Sequence, residues 1–593
     1  MAKIEIKQLN IKNFRGFKDL VWNPSSGFNL IIGGGDSGKT TILEAIAMLF
    51  HPGSSLTLTE ADYFERKTEA GFSIEAVVEV KDGFEFSSGT KTFWPWEWDG
   101  ENAIQPTGEP EDIPVLQIPV FRVLLTATAD FDLSWEILQP DETTNHFPVG
   151  LRRSIGVVKL TSDDKNDRDL RLVYGSALDR LLSDENLRST VTQAISQVPL
   201  TEQLGEESKK SLENLDKLLD EAFLPSSVSL GLTGSSGISI GALVGLFAQK
   251  GDLALPLSSW GAGTRRMASL QIATAKQTDA KIAVIDEIER GLEPYRLRQF
   301  SRNLLAADEQ CFVTTHSPIA ISCLTAGQLW YLDSQSNIGK LDMAKIKQQL
   351  VRDPETFLSR VSVIVEGETE QGFVAEILQR LFGGDPLDAG VRVCNGQGDN
   401  QLLGLLEALE SARLVFCGFA DRDSGNFGRW DALKELMGTR LFQWGRGCIE
   451  SNLLPLIPAD KLERLFCETD GTQLGYRLRT IADRLAIEEK SLEDILAALE
   501  GDREQLRGHI IKAAIGDTAA VSGVNEDERK ANQKAWKKHS KDWFKKADGS
   551  GGRELLLHLE QTGVWSQVEP ELRPFFNQIL QLVGKPAVAK INL

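Results

Sequence analysis

Gly33-Gly34-Gly35-Asp36-Ser37-Gly38-Lys39-Thr40 fits the pattern G-x-x-x-x-G-K-S/T, and its flanks decide how it folds. An apolar run, Phe28-Asn29-Leu30-Ile31-Ile32, precedes it, and Thr41 to Phe50 comes after it with apolar residues at helical spacing. Strand, glycine loop and helix are the context in which backbone N–H groups close around phosphates and a helix N-terminus faces negative charge. Gly33, Gly35, Asp36, Ser37 and Gly38 would form the cradle. Lys39 would reach the β and γ phosphates of ATP, and Thr40, beside Thr41, would hold Mg²⁺. The fold expected from this start is α/β.

At 593 residues the chain exceeds a single core, and roughly two to four domains are expected. Hydrophobic content of 41% and charged content of 25% are those of a globular protein. No apolar run reaches the ~18 residues of a membrane span, and the N-terminus alternates as a strand from its start. Cys311, Cys323, Cys394, Cys417, Cys448 and Cys467 show no C-x-x-C spacing, which points to reduced thiols in a cytoplasmic protein and away from a zinc site. A net charge of −20 disfavours a protein coated in nucleic acid, but leaves room for one local groove.

Three further signals share the logic of the phosphate loop. Ser259-Trp260-Gly261-Ala262-Gly263 opens a helix from Thr264 to Lys276. The strand Lys281 to Ile285 ends in Asp286-Glu287, where one carboxylate suits Mg²⁺ and its neighbour can polarise an attacking water. The strand Cys311 to Thr315 ends in His316, placed to sense a γ-phosphate. Between them, 168–225 turns helical, and Ser226 to Gly241 reads as a connector. The expected ATPase thus occupies 1–167 and 226–355, with 168–225 as a helical insertion, either a dimerisation arm or a helical layer capping its own domain.

A second α/β unit is expected over 356–593. Val361 to Val365 ends in Glu366-Gly367 and leads into a helix carrying Glu370; Val391 to Cys394 leads to a Gly396-Gln397-Gly398 turn; Leu414 to Phe419 ends in Asp421-Arg422-Asp423. Strand–helix alternation builds a parallel sheet whose sites gather at the carboxyl ends of its strands. Clustered Asp and Glu oxygens there could hold two hard cations for phosphodiester cleavage. From Arg529 to Lys546, eight Lys or Arg face one acid, Asp542, interleaved with Trp536, Trp543 and Phe544, as in a groove for DNA phosphates.

Ile11-Lys12-Asn13-Phe14-Arg15-Gly16-Phe17 ahead of the phosphate loop resembles the opening of ABC-type ATPases of the SMC and RecF group, and Ser259 to Gly263 resembles their signature turn. Glu-Gly after one strand and Asp-x-Asp after a later one resembles the Toprim domain. The two in one chain resemble the OLD (overcoming lysogenisation defect) family over nearly the whole length. That resemblance implies an ATPase and metal-dependent DNA nickase or nuclease, serving phage defence and using ATP with Mg²⁺ or Mn²⁺. The alternative is an SMC-like ATPase switch with an inactive Toprim domain. Glu366, Glu370, Asp421, Asp423 and, by a looser match, Glu450 are the implied metal ligands. Lys545 or Lys546 is the implied lysine near the metals, with Lys546 favoured for its closeness to the glycine turn. One chain carries one signature turn and one phosphate loop, so closing a nucleotide site implies a homodimer; a helicase or other defence partner is a further expectation. The sequence departs from family habit at Gly35-Asp36 and at Ile288, which stands where Pro is usual; neither change removes a ligand. A topoisomerase would need a nucleophilic tyrosine, and none of Tyr63, Tyr174, Tyr295, Tyr331 or Tyr476 sits in a recognisable cleavage module.

Overall fold

The computed structural model describes residues 4–81, 84–88, 91–106, 118–160, 245–250, 252–275, 282–306, 309–323, 327–423, 425–466, 474–519, 521 and 526–592, with isolated positions between 170 and 210. The expected helical insertion at 168–225 and the connector after it fall almost wholly outside the described residues. The chain divides into two compact units, Met1–Asn29 with Thr40–Thr315, and Leu30–Lys39 with His316–Leu593.

In the first unit, β1 (Ile4–Phe14) and β2 (Phe17–Trp22) form a hairpin at the edge of an antiparallel sheet. β1 also pairs with β4 (Phe72–Val80), and the sheet continues through β5 (Ile118–Ala127), β6 (Leu133–Leu138) and β7 (Thr144–His146). Ile4, Ile6, Leu9, Ile11 and Phe14 bury one face of β1; the period slips by one residue at a bulge between Ile6 and Gln8. The Trp-rich patch packs rather than protrudes: Trp96 is buried, its Nε1 donates to the Leu138 carbonyl at 2.8 Å, and the Arg122 guanidinium lies 4.6 Å above its ring.

The catalytic half of this unit is a parallel ladder. β8 (Val157–Leu160), β9 (Ile282–Ile285) and β10 (Gln310–Thr314) run in register from Val157 to Leu160, Ile282 to Ile285 and Gln310 to Val313. The buried strand β3 (Phe28–Ile32) begins beside β10, whose Cys311 N–H donates to the Gly27 carbonyl at 2.8 Å. The central strand β9 is apolar on both faces, as a parallel strand covered on both sides must be, whereas the edge strand β8 carries Lys159, paired with Glu44. Helix α1 (Lys39–Leu49) begins at the end of the phosphate loop, and α2 (Ala262–Ala275) begins within the signature turn.

The second unit opens on an antiparallel pair, β11 (Gln328–Leu332) and β12 (Ile338–Lys340). The sequence places these strands in the ATPase half, ahead of residue 356, and they belong to the same six-stranded sheet as β3. Asp333 accepts the Val415 N–H at 3.2 Å, and the Gly339 backbone lies directly on Ala412. A four-stranded, all-parallel sheet then runs in the order β14 (Val391–Asn395), β13 (Val361–Val365), β15 (Cys417–Ala420), β16 (Leu441–Gln443). The third strand starts at Cys417 and not at Leu414, because Val415 spends its N–H on Asp333.

Helices α3 (Glu368–Phe382) and α4 (Asp399–Ser411) come after β13 and β14, and the short α5 (Ile449–Leu453) after β16. The C-terminal extension is helical: α6 (Leu474–Leu485), α7 (Arg503–Ile515), α8 (Glu526–Asp542), α9 (Ser550–Thr562) and α10 (Trp565–Leu582). One hydrophobic core joins sheet and extension, with Phe373, Val374, Ile377 and Leu378 of α3 against Leu555, Leu556, Leu559 and Phe575. Each such buried side chain contributes roughly 1.5–3 kcal/mol, so the extension is part of this domain's core.

Candidate functional site

The phosphate loop is poised around its own lysine. Lys39, almost fully buried, donates from Nζ to the Gly33 carbonyl at 3.1 Å and the Gly34 carbonyl at 2.6 Å. Gly35 and Asp36 are exposed at the tip, and Asp36 adopts a left-handed φ of 58°. Gly34 admits no side chain: a Cβ there would sit 2.7 Å from the Arg360 Cα, one residue before β13.

At the first turn of α1, Thr40 donates from Oγ1 to both Asp286 carboxylate oxygens, at 3.1 and 3.2 Å. This is the pairing a Mg²⁺-binding hydroxyl and a strand-end aspartate require. Asp286 is buried and also accepts a 2.6 Å bond from Thr314 Oγ1, a residue that sequence reasoning passed over although it directly precedes the Thr315-His316 pair. Glu287 has a left-handed φ of 47°, with its N–H on Thr314 Oγ1 at 2.9 Å and its carboxylate 3.3 Å from Arg290. Arg266 of α2 donates to the Glu287 carbonyl at 2.9 Å and also to that of Asp286, tying the signature helix to this strand end. Ile288 is fully buried where Pro was expected, and its N–H donates to the Thr314 carbonyl at 3.1 Å. Ser259 and Gly261 lie exposed before α2, whereas Gly263 is buried against Gly291. His316 is exposed at the end of β10.

The acidic edge assembles from separate segments. Glu366 ends β13, and its Oε2 accepts the Asp421 N–H at 3.0 Å, joining two neighbouring strand ends. Asp421 is buried and accepts the Ile449 N–H at 3.0 Å, which fixes the start of α5 and with it Glu450. Glu370 is buried in the first turn of α3, and Glu450 is fully buried, its Oε1 3.4 Å from Thr369 Oγ1. Asp423 stands exposed at the rim. Burial, followed by the charge of Asp423 and Asp399, pushes the Glu366 carboxyl up to about 7. Burial and then Glu450 push Glu370 up to about 8, and burial, then Glu370, Glu366 and Glu450, hold Asp421 well above the usual carboxylate range. Asp399 was absent from the sequence-derived set. It heads α4, held by Trp430 Nε1 at 2.6 Å and Asn426 Nδ2 at 2.8 Å.

The structure separates the two candidate lysines. Although burial opposes its charge, Glu450, Cys448, Glu370 and Asp421 together hold the Lys545 ammonium above its ordinary value. Lys546 turns the other way, 3.5 Å from Glu554. Nearness to the glycine turn favours Lys546, whereas the charge of the acids acts on Lys545. The placement depends on backbone contact between α3 and α9. A Cβ on Gly372 would lie 1.7 Å from the Gly549 carbonyl oxygen, and one on Gly552 would lie 1.9 Å from that of Thr369. Thr369 also donates to the Phe544 carbonyl at 3.1 Å. Arg477, fully buried, grips the same segment from below through the Trp543 carbonyl and a two-pronged pair with Glu554 at 2.6 and 2.8 Å.

The aromatic residues of the basic stretch serve this anchoring. Trp543 and Phe544 are buried, and Trp536 lies beneath the Arg484 guanidinium at 4.5 Å. Base stacking by Trp543 and Phe544 is excluded by that burial.

The donor set suits a hard divalent cation. All its members are carboxylates, and the Glu450 Oε2 is buried without a hydrogen-bond partner among the described residues. As placed, no three His, Cys, Asp or Glu side chains among the described residues converge tightly enough to hold a metal ion. The ligands are gathered at one edge but not closed around one point.

Family models agree with this division. Residues 28–322 match an AAA domain described as putative AbiEii toxin, Type IV TA system. Residues 357–423 match the TOPRIM domain of overcoming lysogenization defect protein-like proteins. An AAA ATPase domain ahead of an OLD-like Toprim domain matches the pattern of an OLD-family ATPase–Toprim fusion. The DNA replication and repair protein RecF of Rickettsia bellii (strain OSU 85-389) is 38% identical over 92 residues, 15% of this fusion and 25% of that relative. RecF of Prosthecochloris aestuarii is 49% identical over 43 residues, 7% and 12% of the two chains. The fusion therefore spans about a quarter or less of these curated relatives. Among solved structures, an Smc head domain with an extended coiled coil, bound to the C-terminal domain of ScpA derived from Pyrococcus furiosus, is similar at 14% identity and TM-score 0.32, covering 59% of this chain and 99% of that one. A RecF–ATP structure is similar at 12% identity and TM-score 0.31, covering 57% and 100%. No helix among the described residues is long and apolar enough to cross a membrane.

Proposed function

We propose that the fusion is an ATP-regulated, metal-dependent DNA endonuclease working as a homodimer in the cytoplasm, with a role in phage defence. One observation carries the nuclease reading: hydrogen bonds from the Asp421 N–H to Glu366 and from the Ile449 N–H to Asp421 gather acids of separate segments at one edge, where the charge of Lys545, from a distant part of the chain, also acts on them. Glu366, Glu370, Asp421, Asp423 and Glu450 are the residues that would hold Mg²⁺ or Mn²⁺. Bound there, the cations would supply an activated water and relief of charge on the leaving oxygen. Lys545 would stabilise the charge building on the transferred phosphate. Asp421 orders the site through its bond to the Ile449 N–H, and Glu366 through its bond to the Asp421 N–H.

In the ATPase half, Lys39 would exchange its Gly33 and Gly34 carbonyls for the phosphates of ATP, Thr40 and Asp286 would hold Mg²⁺, and Glu287 would polarise the water. The exposed Ser259 and Gly261 suit completion of a second chain's nucleotide site. Contact between Gly34 and Arg360 supports regulation, since β13 runs from the next residue to Glu366.

Incubating the purified protein with supercoiled plasmid, with and without Mn²⁺ and ATP, tests the reading. Metal-dependent nicking that Asp421→Ala removes supports it. The open arrangement of the acids favours a second reading, an ATPase switch with a silent Toprim domain; ATP hydrolysis without nicking under every metal condition would select it.

A further inference from the structure

A cavity of about 690 Å³ lies along one face of α8. Lys534, Lys537, Lys538 and Lys541 line it at helical spacings of three and four, so they share that face, and all four are exposed. None of the four pairs with an acid among the described residues, in contrast to Lys530, which pairs with Glu526 at 2.9 Å. Like charges three and four apart on a helix repel and destabilise it. A chain with net charge −20 that keeps four of them together has placed a site for an external anion there.

The geometry restricts that anion. Lys534 and Lys541 are about 10.5 Å apart along the helix axis, which spans roughly three phosphates of one DNA strand. The C-terminal turn of α7 forms the opposite wall, where a Cβ on Gly516 would sit 2.9 Å from the Lys537 carbonyl oxygen, so the wall is in backbone contact with the track. At its far end the cavity reaches Lys545, the lysine that faces the acids. The rings of Trp543 and Phe544 are turned inward and Trp536 is covered by Arg484, leaving ammonium groups as the recognising chemistry.

Resting on the nuclease reading, we propose that α8 is a phosphate guide. It holds one strand of the DNA substrate to one side of the cleavage point, through about three or four phosphates and no bases. Binding along it is indifferent to sequence and falls steeply with salt.

The test uses the full chain and a fluorescent 30-base-pair duplex, with Ca²⁺ in place of Mg²⁺ so that binding is read without cleavage. In the K534Q/K537Q/K538Q/K541Q variant, the slope of log affinity against log salt should fall in magnitude by about 3, and affinity near 0.1 M salt by roughly 10²-fold. K530Q should change neither quantity appreciably, and two duplexes of unrelated sequence should bind alike. ATP hydrolysis and thermal melting report whether the quadruple variant is folded; if it is not, the charge reversal K537E/K541E takes its place. An unchanged slope overturns the proposal. So does a sequence preference above tenfold, or a quadruple variant that loses binding of inorganic tripolyphosphate while holding DNA as before, which would mark a small-anion pocket. Because binding is measured apart from cleavage, loss of the slope in a protein that never nicks plasmid would leave the guide standing and remove the nuclease reading instead.

Discussion

The phosphate loop and the acidic edge both place charged groups at strand ends, yet they are built in opposite ways. In the loop, eight consecutive residues supply the cradle, and Lys39 already finds oxygen partners in Gly33 and Gly34. The acidic edge draws on β13, α3, the β15 end, α5 and the turn before α9, and its carboxyl groups raise one another's proton affinity. A local site tolerates changes elsewhere in the fold. A dispersed one depends on every contact that holds its segments together, and that difference can be measured.

The largest effect is expected at the dispersed site. Asp421→Ala removes both a ligand and the acceptor that fixes α5, so nicking should fall at least ~10³-fold, while ATP hydrolysis stays within a factor of about two. Parallel loss of both activities in a folded protein would show that the two sites do not act separately. In the other direction, Glu287→Gln should slow ATP hydrolysis about 10²-fold or more with ATP binding retained; unchanged turnover in that variant rules out its assigned role.

Next comes the lysine comparison. Lys545→Ala should lower the nicking rate by about 10²–10³-fold with modest change in DNA affinity. Lys546→Ala, which removes a partner of Glu554, should lower it less than tenfold. The reverse ranking in single-turnover assays would overturn the placement of these two side chains.

The dispersed site should also be sensitive to contacts remote from its charges. Gly552→Val would thrust a side chain into the Thr369 carbonyl, at a cost of about 1–3 kcal/mol or more, with nicking weakened alongside stability. Urea midpoints and plasmid assays on the same preparation measure both. A variant of normal stability and activity would show that α3 and α9 are not held in backbone contact.

The smallest effect is a pH dependence in the anchor. Although burial opposes it, bonding to His558 and Arg477 draws the Glu554 carboxyl down to about 2 from an ordinary 4.5. A lowered carboxylate contributes stability that is fully present above its unfolded value and is lost as pH falls through its folded one. About 3 kcal/mol should therefore be present above pH 4.5 and disappear towards pH 2. The stability difference between wild type and Glu554→Gln, followed by urea melts from pH 3 to 7, should shrink as pH falls. A difference independent of pH would remove the ion pair from the account.

Much of this molecule is legible residue by residue. The glycine loop between strand and helix, Asp286-Glu287 after an apolar run, and acids after β13 and β15 emerge from local patterns, because a parallel strand presents its next residue at the sheet's carboxyl edge. Thr40 is paired with Mg²⁺ by the glycine-loop motif alone, since it follows Lys39 in the first turn of α1. Where distant segments meet is a different matter. Thr314 and Asp399 look like ordinary polar residues until the fold sets Thr314 Oγ1 on Asp286 and aligns Asp399 with Glu366. Trp543 and Phe544 read equally well as stacking platforms or as core, and only burial against Arg477 and Thr480 decides. Lys545 and Lys546 are adjacent and chemically identical. The backbone contact of Gly372 with Gly549 and the Arg477–Glu554 pair hold the segment so that Lys546 pairs with Glu554 while the charge of the acids acts on Lys545. Local patterns encode which groups a strand end or helix start will offer. Long-range packing, which no short window of sequence contains, selects which of those groups share a site.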